Sequence, residues 1–528
     1  MSETFIRVRA EGNPDASVTD LLARAGHPVN ARCGQRGLCR GCMVDLIEGQ
    51  LLDTENHLVS PGSSLRSCRL RVPDGTEVLL RLQPQAEISF SPQVEVSFLT
   101  DVPVQAYPLF PATRQGQTVF AADIGTTTVV VLLADAMTGE VLARAGDFSA
   151  QIRFGDNVIT RIGAGGNPVT LLEMRRVLVE ETLLPLVRKA CSRAMRPFSS
   201  VIGGALAGNT AMLHILAGED PTGLGSVPFT PRFLEGRVLT SDAIGMPGNF
   251  PLHLLPSMAS YLGADISAGI HAMGMTLDPA PVLLVDLGTN GEIVLSANGR
   301  LCGCATAAGP AFEGAGLSHG TRAHAGAASR IRFSRSPAGL EFETIGDPVM
   351  PTGICGSAYV DFLATARAGG LLMENGRMDR DHWESLPDCL KLRGDDGLAI
   401  RIGADNPVSI SEVDIAHLLQ AKAAIAAGIE ILLESSGIPA ADIQRVELAG
   451  GFGMHVDIAH AIAIGMLPGF HPSQIRVVGN TSLAGALIAL LDRSALNAME
   501  HFREEIEVLE LNLQPDFEDC YINHLFLP

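Results

Sequence analysis

Apolar and polar positions alternate over residues 4–10, the period-2 pattern of a half-buried strand. Val18-Thr-Asp-Leu-Leu-Ala-Arg-Ala25 then changes to helical spacing, with Ser17 placed to cap it. Met43-Val-Asp-Leu-Ile47 and Glu77-Val-Leu-Leu-Arg-Leu82 read as further strands, so residues 1–85 predict a small α+β module. Five prolines fall among scattered polar positions in 83–116, which predicts a linker over 86–116. From residue 118 the pattern becomes α/β. Thr118-Val-Phe-Ala-Ala-Asp123 is an apolar strand, helices follow near 170–195, and a second strand starts at Pro281. A third ends in Val446-Glu-Leu-Ala449, after a helix over about 412–435. That helix contains Ala421-Lys-Ala-Ala-Ile-Ala-Ala-Gly428, whose small residues permit close packing. Lys422 and Glu430 interrupt it too much for a membrane span.

The chain of 528 residues is long enough for three or four cores. Its 56 glycines, about 11% against about 7% in ordinary proteins, concentrate in short loops after apolar runs, the signature of turns that approach a ligand. A net charge of −20 argues against nucleic acid or an anionic membrane as partner. The charge is unevenly spread. Residues 1–90 hold ten Arg, no Lys and eleven Asp or Glu, and so contribute −1 of the total. The N-terminus has no signal-peptide core, and the expected location is the cytoplasm.

In a reducing compartment, clustered cysteines suggest metal ligation. Cys33, Cys39, Cys42 and Cys68 are spaced C-x5-C-x2-C-x25-C, and the first three share the loop Cys33-Gly-Gln-Arg-Gly-Leu-Cys-Arg-Gly-Cys42. Glycines let such a loop curl round a metal and aim N–H groups at cluster sulfurs. The spacing is one residue longer in the first gap than plant-type [2Fe–2S] proteins, and resembles the adrenodoxin-like branch. Four-thiolate zinc is the alternative, but zinc ribbons use two C-x2-C knuckles and only one is present here. Arg32, Arg36, Arg40, Arg66, Arg69 and Arg71 surround these cysteines, either to compensate an anionic cluster or to dock an acidic partner. Cys191, Cys355, Cys389 and Cys520 are isolated, and Cys302 and Cys304 read as small strand residues.

Two apolar strands end in the same turn: Asp123-Ile-Gly-Thr-Thr-Thr128 and Asp286-Leu-Gly-Thr-Asn-Gly-Glu292. One Asp-x-Gly-Thr is weak, but a repeated one suggests a paired phosphate cradle. Gly125 and Gly288 let backbone approach anionic oxygens, while Thr126, Thr127, Thr289 and Asn290 add donors. Asp123 and Asp286 would hold Mg²⁺ through water or position an attacking water. Gly450, Gly451 and Gly453 form a third turn against which a nucleoside can lie. Walker A and a dinucleotide fingerprint are both missing from the sequence.

This arrangement resembles the acetate and sugar kinase, heat-shock cognate and actin superfamily. The resemblance implies a duplicated α/β, ribonuclease H-like ATPase with halves over 117–280 (including a middle region) and 281–528. Asp123–Thr128 and Asp286–Glu292 become its phosphate segments, Ala308-Gly309-Pro-Ala-Phe-Glu-Gly314 an associated turn, and Leu448–Gly453 the adenosine segment. Gly208-Asn-Thr210 and Ala484-Gly-Ala486 fall where connecting elements belong, and Lys422 and Glu430 are candidates to face the nucleoside. The full order, a β-grasp ferredoxin module, a linker and an ATP clamp, resembles the reductive activators of corrinoid-dependent enzymes. Phe154-Gly-Asp-Asn-Val-Ile-Thr-Arg161 and Thr352-Gly-Ile-Cys-Gly-Ser357 continue that likeness. It implies one [2Fe–2S] cluster on the four cysteines, ATP and Mg²⁺ as cofactors, and one-electron reduction of a Co(II) corrinoid protein of a methyltransferase system to Co(I). An electron donor is a further implied partner, and a second copy of the chain stays open. With Cys520 alone in the tail, no [4Fe–4S] cluster is expected. Other readings are an activase of a radical dehydratase or reductase, a small-molecule kinase with an accessory ferredoxin, and a non-enzymatic actin-like or chaperone-like module.

Overall fold

The structure is a computed structural model that describes residues 5–10, 16–27, 29, 35, 42–83, 97–102, 104, 107–155, 157–335, 338–346, 350–394, 397–403 and 406–528. Two six-stranded sheets form its frame, and they repeat one plan. In the first, Thr118–Ile124, Thr128–Asp135 and Val141–Phe148 run antiparallel in sequence. Val201–Gly208 then adds parallel to Thr118–Ile124, and Pro251–Leu254 parallel to Val201–Gly208. In the second, Val282–Leu287, Gly291–Ala297 and Arg300–Thr306 repeat the antiparallel triplet. Arg445–Ala449 and Ile475–Gly479 supply the parallel additions. This is the duplicated α/β fold that the repeated hairpins imply. The parallel strands need crossover connections, which is why helices separate them.

The central strands are apolar on both faces: Thr118–Ile124 and Val282–Leu287 are buried at every position except Asp123 and Asp286. One core cluster joins the first sheet to one face of the second, and another covers the second sheet's other face. The helices Ala264–Ala272 and Thr481–Leu491 cross at Gly485, where a Cβ would stand 2.3 Å from the Ala268 carbonyl oxygen. Only glycine permits that approach, and it ties the end of the second sheet's chain to the first.

Helix Glu412–Ser436 starts with a capping box, Ser411 with Asp414, and stops at Gly437 in the left-handed region. It is long and apolar enough to cross a membrane, but 78% of its apolar window is buried inside the fold. Residues expected to form the linker are laid against the core where they are described. Leu99 N–H donates to Val478 O at 3.0 Å, and Leu109 N–H to Leu490 O at 2.9 Å.

The N-terminal module is a four-stranded antiparallel sheet with the order Phe5–Arg9, Glu77–Leu82, Met43–Glu48, Gly62–Arg66. Helix Val18–Arg24 has the Ser17 cap that the sequence predicts, closed as a capping box with Asp20. A third core cluster lies between them and includes Cys42 and Cys68.

Candidate functional site

The two Asp-Gly-Thr turns meet. Thr127 Oγ1 lies 3.3 Å from Thr289 Oγ1, across 162 positions of chain, at the mouth of a cleft of about 600 Å³ between the sheets. Asp123, Gly125, Thr126 and Thr127 line one wall, and Asp286, Gly288, Thr289 and Asn290 the other. Gly450 and Gly451 line it too. Gly309 and Gly453 do not, although each shapes a neighbouring turn: Gly309 has φ +73°, and a Cβ on Gly453 would lie 3.0 Å from Ala449 O.

Each wall is built by ordinary local rules. Gly125 turns so tightly that a Cβ would sit 2.6 Å from Thr128 O. Gly450, at φ +88°, brings the third turn onto the second hairpin, and a Cβ there would meet Leu287 O at 2.4 Å and Asp286 Oδ1 at 2.8 Å. Two helices start at the cleft after the same tripeptide, Gly208-Asn209-Thr210 and Gly479-Asn480-Thr481. Asn209 caps helix Thr210–Ala217 and donates from Nδ2 to Thr126 Oγ1 at 2.9 Å. Asn480 caps Thr481–Leu491 and donates to Asp123 Oδ2 at 2.8 Å, while Ser482 Oγ donates to Asp123 Oδ1 at 2.9 Å. The second helix thus aims its N-terminal dipole at the first hairpin, a setting that favours anions.

Among the described residues six carboxylates line this cleft, four of them Asp123, Asp265, Asp286 and Glu292. These four touch the cleft, yet lie deep below the molecular surface. Burial raises the pKa of Asp123, opposed by its bonds to Asn480 and Ser482. Asp286 is pushed up to about 7 by burial and by Asp123. Asp265 is pushed up to about 8 by burial, Asp123 and Asp286. Glu292 is held well above the usual carboxylate range by burial, Asp265 and Asp286. Mutually repelling buried acids of this kind are relieved by protons or by a hard cation with oxygen ligands.

Sequence reasoning missed Asp265, Asn480, Ser482 and Arg322, and left Glu292 without a role. A usable signal for Asn480 was present in the repeated Gly-Asn-Thr. Asp265 had only Gly263 before it, where a Cβ would stand 2.6 Å from the Asn209 Cα at the start of helix Ala264–Ala272. Arg322 stands at the seam, donating to Thr127 Oγ1 at 3.4 Å and pairing with Glu313 at 3.6 Å.

Lys422 and Glu430 do not face the cleft. Lys422 is buried and donates to the carbonyls of His524 (2.5 Å) and Phe526 (2.7 Å), so it anchors the C-terminal tail. Glu430 accepts from His524 Nε2 at 2.7 Å. Their helix turns that side toward the tail, which sequence alone does not reveal.

Of the cluster cysteines, Cys33 and Cys39 lie outside the described residues. Cys42 and Cys68 are buried and emerge at one end of the N-terminal sheet, where Ser67 N–H donates to the Cys42 carbonyl at 3.1 Å. Arg66 and Arg69 flank Cys68 on the same segment. Cys302 and Cys304 are strand residues, as expected.

Two family models match the chain: the RACo middle region over residues 118–278, and the C-terminal domain of RACo, the ASKHA domain, over 280–528. The chain is 27% identical to the corrinoid activation enzyme RamQ of Eubacterium limosum, over 96% of this chain and 95% of that one. It is 28% identical to a [Co(II) methylated amine-specific corrinoid protein] reductase of Methanosarcina barkeri, over 51% of this chain and 50% of the other. A solved reductive activator for a corrinoid, iron–sulfur protein superposes with a TM-score of 0.72 at 28% identity, covering 98% of this chain and 96% of that one.

Proposed function

We propose that this chain, which belongs to the family of RACo-type reductive activators, passes one electron to an inactive Co(II) corrinoid protein and returns it to Co(I), with ATP bound between its two hairpins. The observation that carries this reading is one protein holding two facing phosphate hairpins, with Thr127 and Thr289 3.3 Å apart, and a cysteine module against the same frame. One electron enters from an external reductant and one leaves to cobalt, so the protein is unchanged after each cycle.

The residues present fit the groups this reading needs. Cys33, Cys39, Cys42 and Cys68 would hold the [2Fe–2S] cluster, which supplies a one-electron carrier when bound. Asp123, Asp286, Asp265 and Glu292 offer the oxygen-rich set a Mg²⁺ ion prefers, and that ion supplies positive charge against phosphate oxygens. The four crowded carboxylates favour a cation there.

The chain's own groups then divide the work. Gly125 and Gly288 let the turn backbone approach phosphate, with Thr126, Thr127, Thr289 and Asn290 as side-chain donors. Gly450 and Gly451 give the nucleoside a floor without side chains, while Gly309 and Gly453 shape the turns behind it. Asp123, fixed by Asn480 and Ser482, orients water. Because the donors come from opposite sheets, a ligand that engages both sets draws the halves together. Closure that favours the corrinoid complex lifts the electron uphill: about 1.4 kcal/mol moves a one-electron couple by roughly 59 mV. In this reading 1–85 is the ferredoxin-like domain, 117–280 and 281–528 are the ATPase halves, and the location is cytoplasmic.

Anaerobic visible spectroscopy tests it. The cognate Co(II) corrinoid protein, mixed with this chain and a reductant, is expected to form Co(I) with Mg-ATP and not without it. No Co(I), with the iron–sulfur spectrum intact, would overturn the reading.

A further inference from the structure

Residues 97–101 belong to the stretch that the sequence marks as a linker, yet they are bonded to the residues that build the cleft. Phe98 forms an antiparallel bridge with Gly479, the last residue of strand Ile475–Gly479 at the edge of the second sheet. The bridge is closed on both sides: Leu99 N–H donates to Val478 O at 3.0 Å, and Asn480 N–H donates to Ser97 O at 3.0 Å. The far end of the segment is anchored too. Asp101 N–H donates to Ala272 O at 2.9 Å. The Asp101 carboxylate accepts from Arg476, which also donates to buried Glu447 at 2.8 Å. Phe98 packs on the core cluster that joins the two sheets, with the Arg144 guanidinium 5.3 Å from its ring centre.

Gly479 and Asn480 are where this contact meets the site. Gly479 is at φ +79°, and a Cβ there would stand 2.3 Å from Ser97 O, so the linker lies as close as glycine allows. Gly479 is fixed on its other side as well, where its carbonyl accepts from Gly450 N–H at 3.2 Å. Asn480 then caps helix Thr481–Leu491 and donates from Nδ2 to Asp123 Oδ2 at 2.8 Å. The aim of so short a side chain follows the placement of its own backbone, and the Asn480 N–H is held by the linker. Two adjacent residues thus join the linker to the aspartate of the first hairpin.

We propose that residues 97–101 are a positioning strand of the nucleotide site: by holding Gly479 and Asn480 they set the donor that fixes Asp123. This rests on the ATP reading above. The segment that tethers the cysteine module is then part of the ATP site itself, and its standing contact, with no movement of the linker, is what serves the reaction.

The test separates the side chain of Leu99, which is 48% exposed, from its bonded N–H. Leu99→Ala trims the side chain and keeps the donor, whereas Leu99→Pro removes the donor at a sheet edge, where proline is tolerated. Both are compared with the wild-type full chain by ATP-dependent Co(I) formation on the cognate corrinoid protein. The same pair is then made with Asn480→Ser, whose hydroxyl still caps the helix but is too short to reach Asp123. L99P is expected to slow Co(I) formation by about 3- to 10-fold, and L99A to leave it unchanged. With N480S in place, L99P should cost nothing further, because the linker acts through Asn480. The L99P loss should also shrink as pH rises. Asn480 opposes the burial that raises the Asp123 pKa, with Ser482 as the other donor and Asp265 and Asp286 as the acids beside it. Equal losses for L99A and L99P, no loss for L99P, an undiminished loss with N480S, or a loss that does not vary with pH would overturn the proposal. If L99P unfolds, Asp101→Ala, which releases the segment from Arg476, decides on the same readouts. A wild-type chain that forms no Co(I) with Mg-ATP overturns the ATP reading itself, and this proposal with it.

Discussion

The two hairpins carry nearly the same residues, but their aspartates sit in different surroundings. Asp123 accepts two hydrogen bonds, from Asn480 and Ser482, both delivered by the start of the helix that follows strand Ile475–Gly479 of the other sheet. Asp286 has burial and a neighbouring acid acting on it, and is pushed up to about 7. A repeated motif thus yields one carboxylate whose burial is opposed by two donors and one poised to titrate near neutral pH. Environment, and not residue type, separates them.

The largest test replaces each acid. Asp123→Asn puts an amide where Asn480 and Ser482 donate, and should slow ATP-dependent Co(I) formation by about 10²- to 10³-fold at pH 8. Asp286→Asn should cost as much at pH 8 but far less at pH 6, where Asp286 is already mostly protonated. Stopped-flow traces at the two pH values give both numbers. Equal deficits at both pH values for D286N would erase the distinction.

Next come the glycines of the third turn. Gly450→Ala forces a Cβ onto Leu287 O and Asp286 at a positive φ, and should destabilise the protein by about 1–3 kcal/mol. Gly451→Ala meets nothing within 4 Å and should leave stability unchanged while weakening nucleotide binding. Thermal melting and calorimetric titration separate the two. A stable G450A would mean that the turn does not press on the second hairpin.

The raised acids also set a pH dependence. Asp286 (about 7) and Asp265 (about 8) bind protons in the folded state at pH values where the unfolded chain has released them. Their contribution to stability is therefore full below about pH 4, falls as pH rises through this window, and is lost above pH 8. Millimolar Mg²⁺ should restore the melting temperature at pH 8.5 and do little at pH 6. D286N should flatten the slope, and a flat wild-type profile without Mg²⁺ would contradict the crowding of these groups.

Ser482→Ala should have the smallest effect. Losing one of two donors raises the Asp123 pKa further and costs about 1 kcal/mol, seen as a several-fold rate loss that shrinks at higher pH. A loss that does not vary with pH would place Ser482 outside the electrostatics of Asp123.

Much of this protein is written in short stretches of its sequence. Strand periodicity, the Ser17 cap, the long helix before Arg445 and both hairpins were legible, because each depends on residues a few positions apart. The duplicated fold was implied by the superfamily resemblance that the repeated hairpin carries. What could not be read is what crosses the chain. Asn480 and Ser482 reach Asp123 over 357 and 359 positions, and no local pattern marks such a pairing. Lys422 and Glu430 looked like helix-face groups available to a nucleoside, until the C-terminal tail proved to cover them. Arg322 carries no local mark in the sequence, and only the folded chain brings it to Thr127 and Glu313. Sequence alone determined which turns can cradle phosphate, since that requires only glycine, hydroxyls and a strand end. The tertiary structure decided which acid has donors to offset its burial and which residues only anchor, because solvation and pairing belong to the packed neighbourhood of a group.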